Sequence, residues 1–224
     1  MSPRSKSNQT VSIDPLSFAP LEVLMLEAFV LRPLHCRVLG IGAISVAGES
    51  GGGNLAIATA LKAKQEGKLS LLPNGVFALC PYIAGNWPQD ETHTDVLGSS
   101  HVDNAQAPLV PLMQAVGYGI EAFEAKNPLA WPSFASVKEL EGFPRTVISV
   151  NEGDIFRDEG ILFYRKLLAA GVTAECRQVM GTPHAADINM WTTTPEIYLS
   201  TARAMADFAA NGEVLQRMHT DLPR

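Results

Sequence analysis

Short apolar runs alternate along the chain with longer amphipathic segments, and this alternation is typical of an α/β fold. Four of the short runs are rich in β-branched and small apolar residues, as expected of strands buried on both faces of a parallel sheet. We predict these strands at residues 38–47, 75–80, 145–150 and 172–179.

The segments between and after these strands carry helix formers or apolar positions at helical spacing. They predict helices at residues 54–65, 111–125, 158–170 and 195–210. Residues 84–107 are rich in Asp, Asn, His and Ser and have weak periodicity, which predicts a long surface loop. The pattern as a whole therefore predicts a mostly parallel sheet with flanking helices.

Composition and charge narrow the class of protein. Of the 224 residues, 46% are apolar and 18% are charged, so the chain is globular and most of it is not disordered. Its 17 Lys and Arg against 23 Asp and Glu give a net charge of −6, and no block of like charge occurs. A mildly acidic, dispersed surface argues against nucleic acid or an anionic membrane as the main partner.

The cysteines and the N-terminal region indicate a cytoplasmic protein. Three cysteines, far apart and outside any Cys-x-x-Cys spacing, suggest neither a disulfide framework nor a zinc site. The helix-like apolar run at residues 21–31 contains Glu22 and Glu27 and is too short to span a bilayer. The chain also begins without the layout of a secretory signal.

The glycine-rich break after the first predicted strand matches the nucleophile elbow G-x-S-x-G, with the sequence Gly-Glu-Ser-Gly-Gly at residues 48–52. Flanking glycines leave room for the sharp turn from strand to helix that exposes the serine hydroxyl. The backbone N–H of Gly51 is then expected to face a developing oxyanion, near the positive end of the following helix. The motif predicts Ser50 as a nucleophile.

Other interpretations of these residues remain open. The same turn occurs as a glycine-rich connection without chemistry, or as an anion-binding turn of a nucleotide fold. The phosphate-loop lysine is absent and G-x-G-x-x-G fits poorly, which disfavours the nucleotide fold. Cys80 is a further candidate nucleophile, but we place it inside a buried strand and interpret it as a structural thiol.

An esterase elbow requires an acid and then a histidine after later strands. Asp154 and Asp158 follow the strand at 145–150, and Asp158 is close enough to the next helix to act on its N-terminus. Of the five histidines, only His184 follows a late strand in a turn of small residues. We therefore predict the ordered set Ser50, Asp154 and His184.

The chain resembles the α/β-hydrolase fold and, within it, the bacterial hormone-sensitive-lipase-like carboxylesterases. The matching segments are residues 48–54, 127–130, 151–168 and 181–184. The most specific of them contains Asp-Ile-Phe-Arg-Asp-Glu-Gly, followed shortly by Phe-Tyr-Arg-Lys-Leu.

The resemblance implies a role for each residue of the ordered set. Ser50 would be the nucleophile, His184 the general base that later protonates the leaving alcohol, and Asp154 the carboxylate that orients His184. The implied reaction is hydrolysis of short, moderately apolar small-molecule esters through an acyl-enzyme, with no metal and no cofactor. A serine peptidase or lactonase on the same fold would use the same residues.

One family feature is absent. Members carry a His-Gly-Gly-Gly run, roughly 70 residues before the nucleophile, whose backbone N–H groups complete the oxyanion hole. We therefore expect a hydrolase domain at residues 38–212 with a sheet incomplete on its N-terminal side. Residues 1–37 match nothing in the family, and residues 213–224 are expected to form a tail.

Two expectations follow from the incomplete sheet. An exposed edge and apolar face predict either poor solubility or burial against a second copy of the chain, as a homodimer. The alternative to an active esterase is a truncated, weak or inactive hydrolase-like protein, serving as a binding module or representing an incomplete gene product.

Overall fold

The computed structural model describes residues 29–31, 45–85 and 120–220, with side chains described at 45–85 and 121–210. Several predictions therefore lie outside the described residues in whole or in part: residues 38–44 of the first strand, most of the loop at 84–107, and residues 111–119 of the second helix.

The described residues contain one five-stranded sheet. Its strands are β1 (Phe29–Leu31), β2 (Ser45–Glu49), β3 (Gly75–Leu79), β4 (Thr146–Asn151) and β5 (Ala174–Val179). Their order in the sheet is their order along the chain, and β2 to β5 run parallel while β1 pairs antiparallel with β2. The predicted mostly parallel α/β sheet is confirmed.

The helix-like interpretation of residues 21–31 is wrong for its last three residues. Phe29, Val30 and Leu31 form strand β1, and residues 21–28 lie outside the described part of the chain. Aromatic and branched residues suit a strand, and β2 has an edge with backbone groups for them to pair with.

Six α-helices occur in the described residues: α1 (Gly51–Gln65), α2 (Ile120–Glu124), α3 (Val137–Leu140), α4 (Arg157–Ala169), α5 (Ala186–Asn189) and α6 (Pro195–Thr220). Two short 3-10 helices, Leu69–Leu71 and Pro132–Phe134, accompany them. Helices α1, α4 and α6 begin within three residues of the starts predicted at residues 54, 158 and 195. No helix in these residues is both long and apolar enough to cross a bilayer.

Helix α6 is longer than the sequence pattern predicts. It continues from the predicted end at residue 210 to Thr220, through most of the segment expected to be a tail. Asn211 and Gly212 resemble a helix ending, but good helix formers such as Leu215, Gln216 and Arg217 follow them. The helix therefore continues past this weak termination signal.

The core lies on both faces of the sheet, because successive strand residues point to opposite sides. On one face, α1 and α4 pack through residues such as Ile57 and Phe163 against Val76 and Ile148. On the other face, Phe208 of α6 packs on the residues that alternate with these. The flanking helices thus enclose the sheet from both sides.

Parallel strands end at a common edge, and this edge positions the candidate residues. The carboxyl end of β2 leads to Ser50, that of β4 to Asp154, and that of β5 to the turn containing His184.

Candidate active site

Ser50 forms a strained turn between β2 and α1. Its φ of 56° and ψ of −117° lie in a region that residues other than glycine rarely occupy. The end of β3 holds this conformation in place: the Ser50 N–H donates to the Leu79 carbonyl at 2.9 Å, and the Ser50 carbonyl accepts from Tyr82 N–H at 3.1 Å. The elbow is thus fixed by the neighbouring strand.

The glycines around Ser50 have different steric roles. A Cβ atom at Gly48 would lie 2.1 Å from the carbonyl oxygen of Gly52, and one at Gly53 would lie 3.0 Å from that of Leu79. A Cβ atom at Gly51 would have no neighbour within 4 Å. Close backbone approach therefore requires glycine at position 48, whereas open space adjoins Gly51.

The structure brings Ser50, His184 and Asp154 into one hydrogen-bonded row. His184 Nε2 lies 2.9 Å from Ser50 Oγ, and His184 Nδ1 lies 2.9 Å from Asp154 Oδ2. Asp154 is fully buried, and its other oxygen accepts a hydrogen bond from the Phe156 N–H at 2.9 Å. A hydroxyl, a base and a buried carboxylate in this order can activate the hydroxyl as a nucleophile.

Asp158, the other acidic candidate, lies outside this row. It occupies the first turn of α4, where a carboxylate interacts favourably with the helix dipole, and it accepts from Arg157 Nε at 2.9 Å. Its expected place near the helix start agrees with this position.

Hydrogen bonds join the loops that carry Asp154 and His184. The Gly153 N–H donates to the Thr182 carbonyl at 2.9 Å, and the Gly181 N–H donates to Glu152 Oε2 at 2.7 Å. The two loops therefore form one unit at the edge of the sheet, which fixes the separation between the carboxylate and the imidazole.

A network of polar side chains also holds the two loops that carry Asp154 and His184. Asn151 Nδ2 donates both to the Pro183 carbonyl at 2.7 Å and to Asp187 Oδ1 at 3.0 Å. The Thr201 hydroxyl of α6 donates to the other oxygen of Asp187 at 2.9 Å. Because Pro183 directly precedes His184, this network orients the imidazole.

The electrostatic surroundings favour a protonated imidazole. Burial by itself lowers the pKa of His184, but the hydrogen bond and charge of Asp154 raise it, as do the charges of Glu49 and Asp187. The net pKa lies above the ordinary value for histidine. An imidazole that readily accepts a proton is suited to act as a general base.

Cys80 lies next to the row and not inside a strand, which corrects its predicted placement. It follows the last residue of β3 with a φ of 40°, and its sulfur lies within 4.8 Å of the donor atoms of Asp154 and His184. Burial, and then the charge of Asp154, raises the pKa of this thiol well above its usual value. Both nitrogens of His184 are already engaged, Nδ1 with Asp154 and Nε2 with Ser50, so the geometry of the row suits a proton relay.

Two further side chains, the buried Asn54 and the partly buried Glu159, hold the loop after β3, which packs against the elbow. Asn54 Nδ2 donates to the carbonyls of Tyr82 and Ala130, both at 2.9 Å. The carboxylate of Glu159 accepts from the Ile83 N–H, and burial raises its pKa well above the ordinary range.

Sequence reasoning assigned no role to Glu49, Asn54, Asn151, Glu159 or Asp187. The available signal was position: Asn54, Asn151 and Glu159 belong to the segments that carry the family resemblance, and Glu49 and Asp187 lie close in sequence to Ser50 and His184.

Comparison with known proteins follows the same segments. A family model for the alpha/beta hydrolase fold matches residues 38–188. Esterase LipI of Mycobacterium tuberculosis is 30% identical over 155 residues, which cover 67% of this chain and 45% of that protein.

Solved structures of two esterases are also similar. Esterase Est22 is 48% identical with a TM-score of 0.63, over 73% of this chain and 47% of Est22. Brefeldin A esterase, described as a bacterial homologue of human hormone sensitive lipase, is 39% identical with a TM-score of 0.70, over 81% of this chain and 51% of that one.

The chain thus spans about half the length of the relatives that it matches. The family match covers well over half of the chain and includes the elbow and both loops that meet it. These similarities confirm the resemblance inferred from the motifs: the chain belongs to the α/β-hydrolase fold family.

Proposed function

We propose that this protein is a serine carboxylesterase that hydrolyses small carboxylic esters through an acyl-enzyme. The observation that carries the proposal is the continuous hydrogen-bonded row from Ser50 through His184 to the buried Asp154, set on a strained elbow. The esterase names of the similar proteins support the same reaction class.

In the first half of the reaction, Ser50 Oγ attacks the ester carbonyl while its proton passes to His184 Nε2. Asp154 stabilises the imidazolium that forms. The carbonyl oxygen gains negative charge beside the Gly51 N–H, which lies in the first turn of α1, where backbone N–H groups have no acceptor within the helix. His184 then gives its proton to the departing alcohol, leaving Ser50 acylated.

The second half repeats these steps with water as the nucleophile. His184 Nε2 takes a proton from the water as it attacks the acyl carbon, and the tetrahedral intermediate collapses when the proton returns to Ser50 Oγ. The carboxylic acid leaves and the serine hydroxyl is regenerated. Ser50, His184, Asp154 and water account for every proton and acyl transfer in both halves of the reaction.

Hydrolysis of p-nitrophenyl esters tests the proposal. We expect turnover of the acetate and butyrate, decline along the series to octanoate and palmitate, and loss of turnover in Ser50→Ala. A purified, folded chain that hydrolyses none of these esters, or a Ser50→Ala variant that matches the native rate, would contradict it.

The short-chain preference, the homodimer and the cytoplasmic location stay predictions. Size-exclusion chromatography checks the homodimer, since a chain that elutes at the monomer mass at all concentrations would exclude it.

A further inference from the structure

Glu49 brings a second carboxylate to the histidine of the row. It is the last residue of β2 and immediately precedes Ser50. Its Oε1 lies 3.5 Å from His184 Nε2, the same nitrogen that lies 2.9 Å from Ser50 Oγ. Because Asp154 occupies Nδ1, each nitrogen of the ring faces a carboxylate. Glu49 therefore faces the nitrogen that exchanges protons with the substrate.

The position of this carboxylate matches where positive charge develops. In acyl transfer, the proton that leaves the serine resides on Nε2, and the ring is an imidazolium in both tetrahedral intermediates. An opposite charge within about 4–6 Å favours the charged form of a titratable group. Glu49 meets that condition at the atom that gains the proton, whereas Asp154 acts from the far side of the ring.

The burial of Glu49 indicates that this contact is more than an incidental surface pair. The side chain is 31% exposed and lies among other acidic groups. Burial raises the pKa of Glu49, the charge of His184 lowers it, and the charges of Asp154 and Asp187 raise it. Three carboxylates, those of Glu49, Asp154 and Asp187, thus act on one imidazole. A positive charge on the protonated ring stabilises this group of negative charges.

Two further titratable groups of the described residues, Cys80 and Arg177, interact with the carboxylates near His184. Burial, and then the charges of Asp154 and Asp187, raise the pKa of the Cys80 thiol well above its usual value. Burial lowers the pKa of Arg177, and the charge of Asp187 raises it. The charge of Glu49 contributes less to the pKa of Cys80 than burial and the charges of Asp154 and Asp187 do, so a substitution at Glu49 acts mainly on His184.

We infer that Glu49 is a positioning residue whose carboxylate stabilises the protonated form of His184 during both halves of the reaction. The effect of Glu49 on the reaction rests on the proposed esterase function. Its effect on the pKa of His184 can be measured without substrate. Glu49 acts through His184, since its contact in this site is with the imidazole.

Titration of the His184 ring proton by NMR tests this directly in the full-length chain. The resonance is assigned by its loss in His184→Gln. In Glu49→Gln we expect the His184 pKa to fall by about 0.5–1 unit, because the group is partly exposed and its charge is partly screened. Glu49→Asp, which withdraws the carboxylate by one methylene, should give a smaller decrease.

The matched control is Glu66→Gln, which removes the same charge at the opposite end of α1, where Glu66 pairs with Lys62 and Lys68. It should leave the His184 pKa unchanged. A His184 pKa in Glu49→Gln that equals the native value would overturn the inference, and so would an equal decrease in the Glu66→Gln control.

Kinetics separate this inference from the proposed function. In Glu49→Gln the acidic limb of the kcat/KM profile should move to lower pH by the same amount as the His184 pKa, about 0.5–1 unit. The plateau of kcat/KM should fall about 3- to 10-fold, which is the equivalent of that change in pKa. A plateau that falls without movement of the limb indicates a merely structural role and refutes the inference. If the native chain is inactive but the NMR shift occurs, the proposed function fails and the contact stands.

Discussion

Gly48 and Gly51 provide a matched pair of substitutions that tests the elbow. Both glycines flank the turn at Ser50, and neither has a positive φ, so alanine differs from glycine at the two sites mainly in the space it needs. The added methyl carbon at position 48 would lie 2.1 Å from a backbone carbonyl oxygen, while at position 51 it meets nothing within 4 Å.

The expected magnitudes follow from these distances. The carbonyl at Gly52 belongs to the backbone of α1, so it cannot rotate away, and we expect Gly48→Ala to cost about 2 kcal/mol or more. Gly51→Ala should be neutral or stabilising by up to about 1 kcal/mol, since alanine restricts the unfolded chain. For a chain of this size, 1 kcal/mol moves Tm by about 2–4 °C.

Thermal unfolding and ester hydrolysis measure both effects. Gly48→Ala should lower Tm by at least about 4 °C, and the displaced Ser50 should cost about 100-fold in kcat/KM. Gly51→Ala should leave Tm at the native value or raise it by up to about 4 °C. Its kcat/KM should stay within about threefold of the native value, because the backbone N–H is retained. Equal losses in the two variants would refute the close-approach explanation of Gly48.

Three further predictions concern the groups around the imidazole. Asp154→Asn should lower kcat by about 10⁴-fold with the fold retained, as seen in steady-state kinetics and circular dichroism, because the amide no longer selects the required tautomer of His184. Asn151→Ala leaves the buried Asp187 without one hydrogen-bond donor, so urea denaturation should show a loss of about 1–3 kcal/mol. Activity should fall as the pH drops through the pKa of His184, which is raised above its ordinary value, since only the neutral ring accepts the serine proton; a pH–rate profile with no acidic limb would contradict this.

The strands and the order of the candidate residues were predictable because buried parallel strands have nearly continuous apolar sequences. Residues 145–150 predict β4 to within one residue, and the end of that strand locates Asp154 near the edge where β2 and β5 also end. The elbow motif, the order of the residues after successive strands and the family resemblance then associate Ser50, Asp154 and His184.

The finer contacts were not predictable because they depend on how the backbone turns after each strand. The positive φ of Cys80 takes it out of the strand that its apolar neighbours suggest and places its sulfur beside the hydrogen-bonded row of Ser50, His184 and Asp154. The 3.5 Å contact between Glu49 and His184 depends on the registers of three successive strand pairs, β2 with β3, β3 with β4 and β4 with β5, which align Glu49 with the end of β5. The strand β1 depends on pairing with β2, which no local pattern reveals.

Covalent labelling of the native chain tests the central claim most directly. The account predicts that a fluorophosphonate adds one adduct, which peptide mass spectrometry locates on Ser50. Labelling should be absent in Ser50→Ala and strongly slowed in His184→Gln, since the imidazole activates the hydroxyl. An adduct on another residue of the native chain, or labelling at an unchanged rate in His184→Gln, would contradict the account.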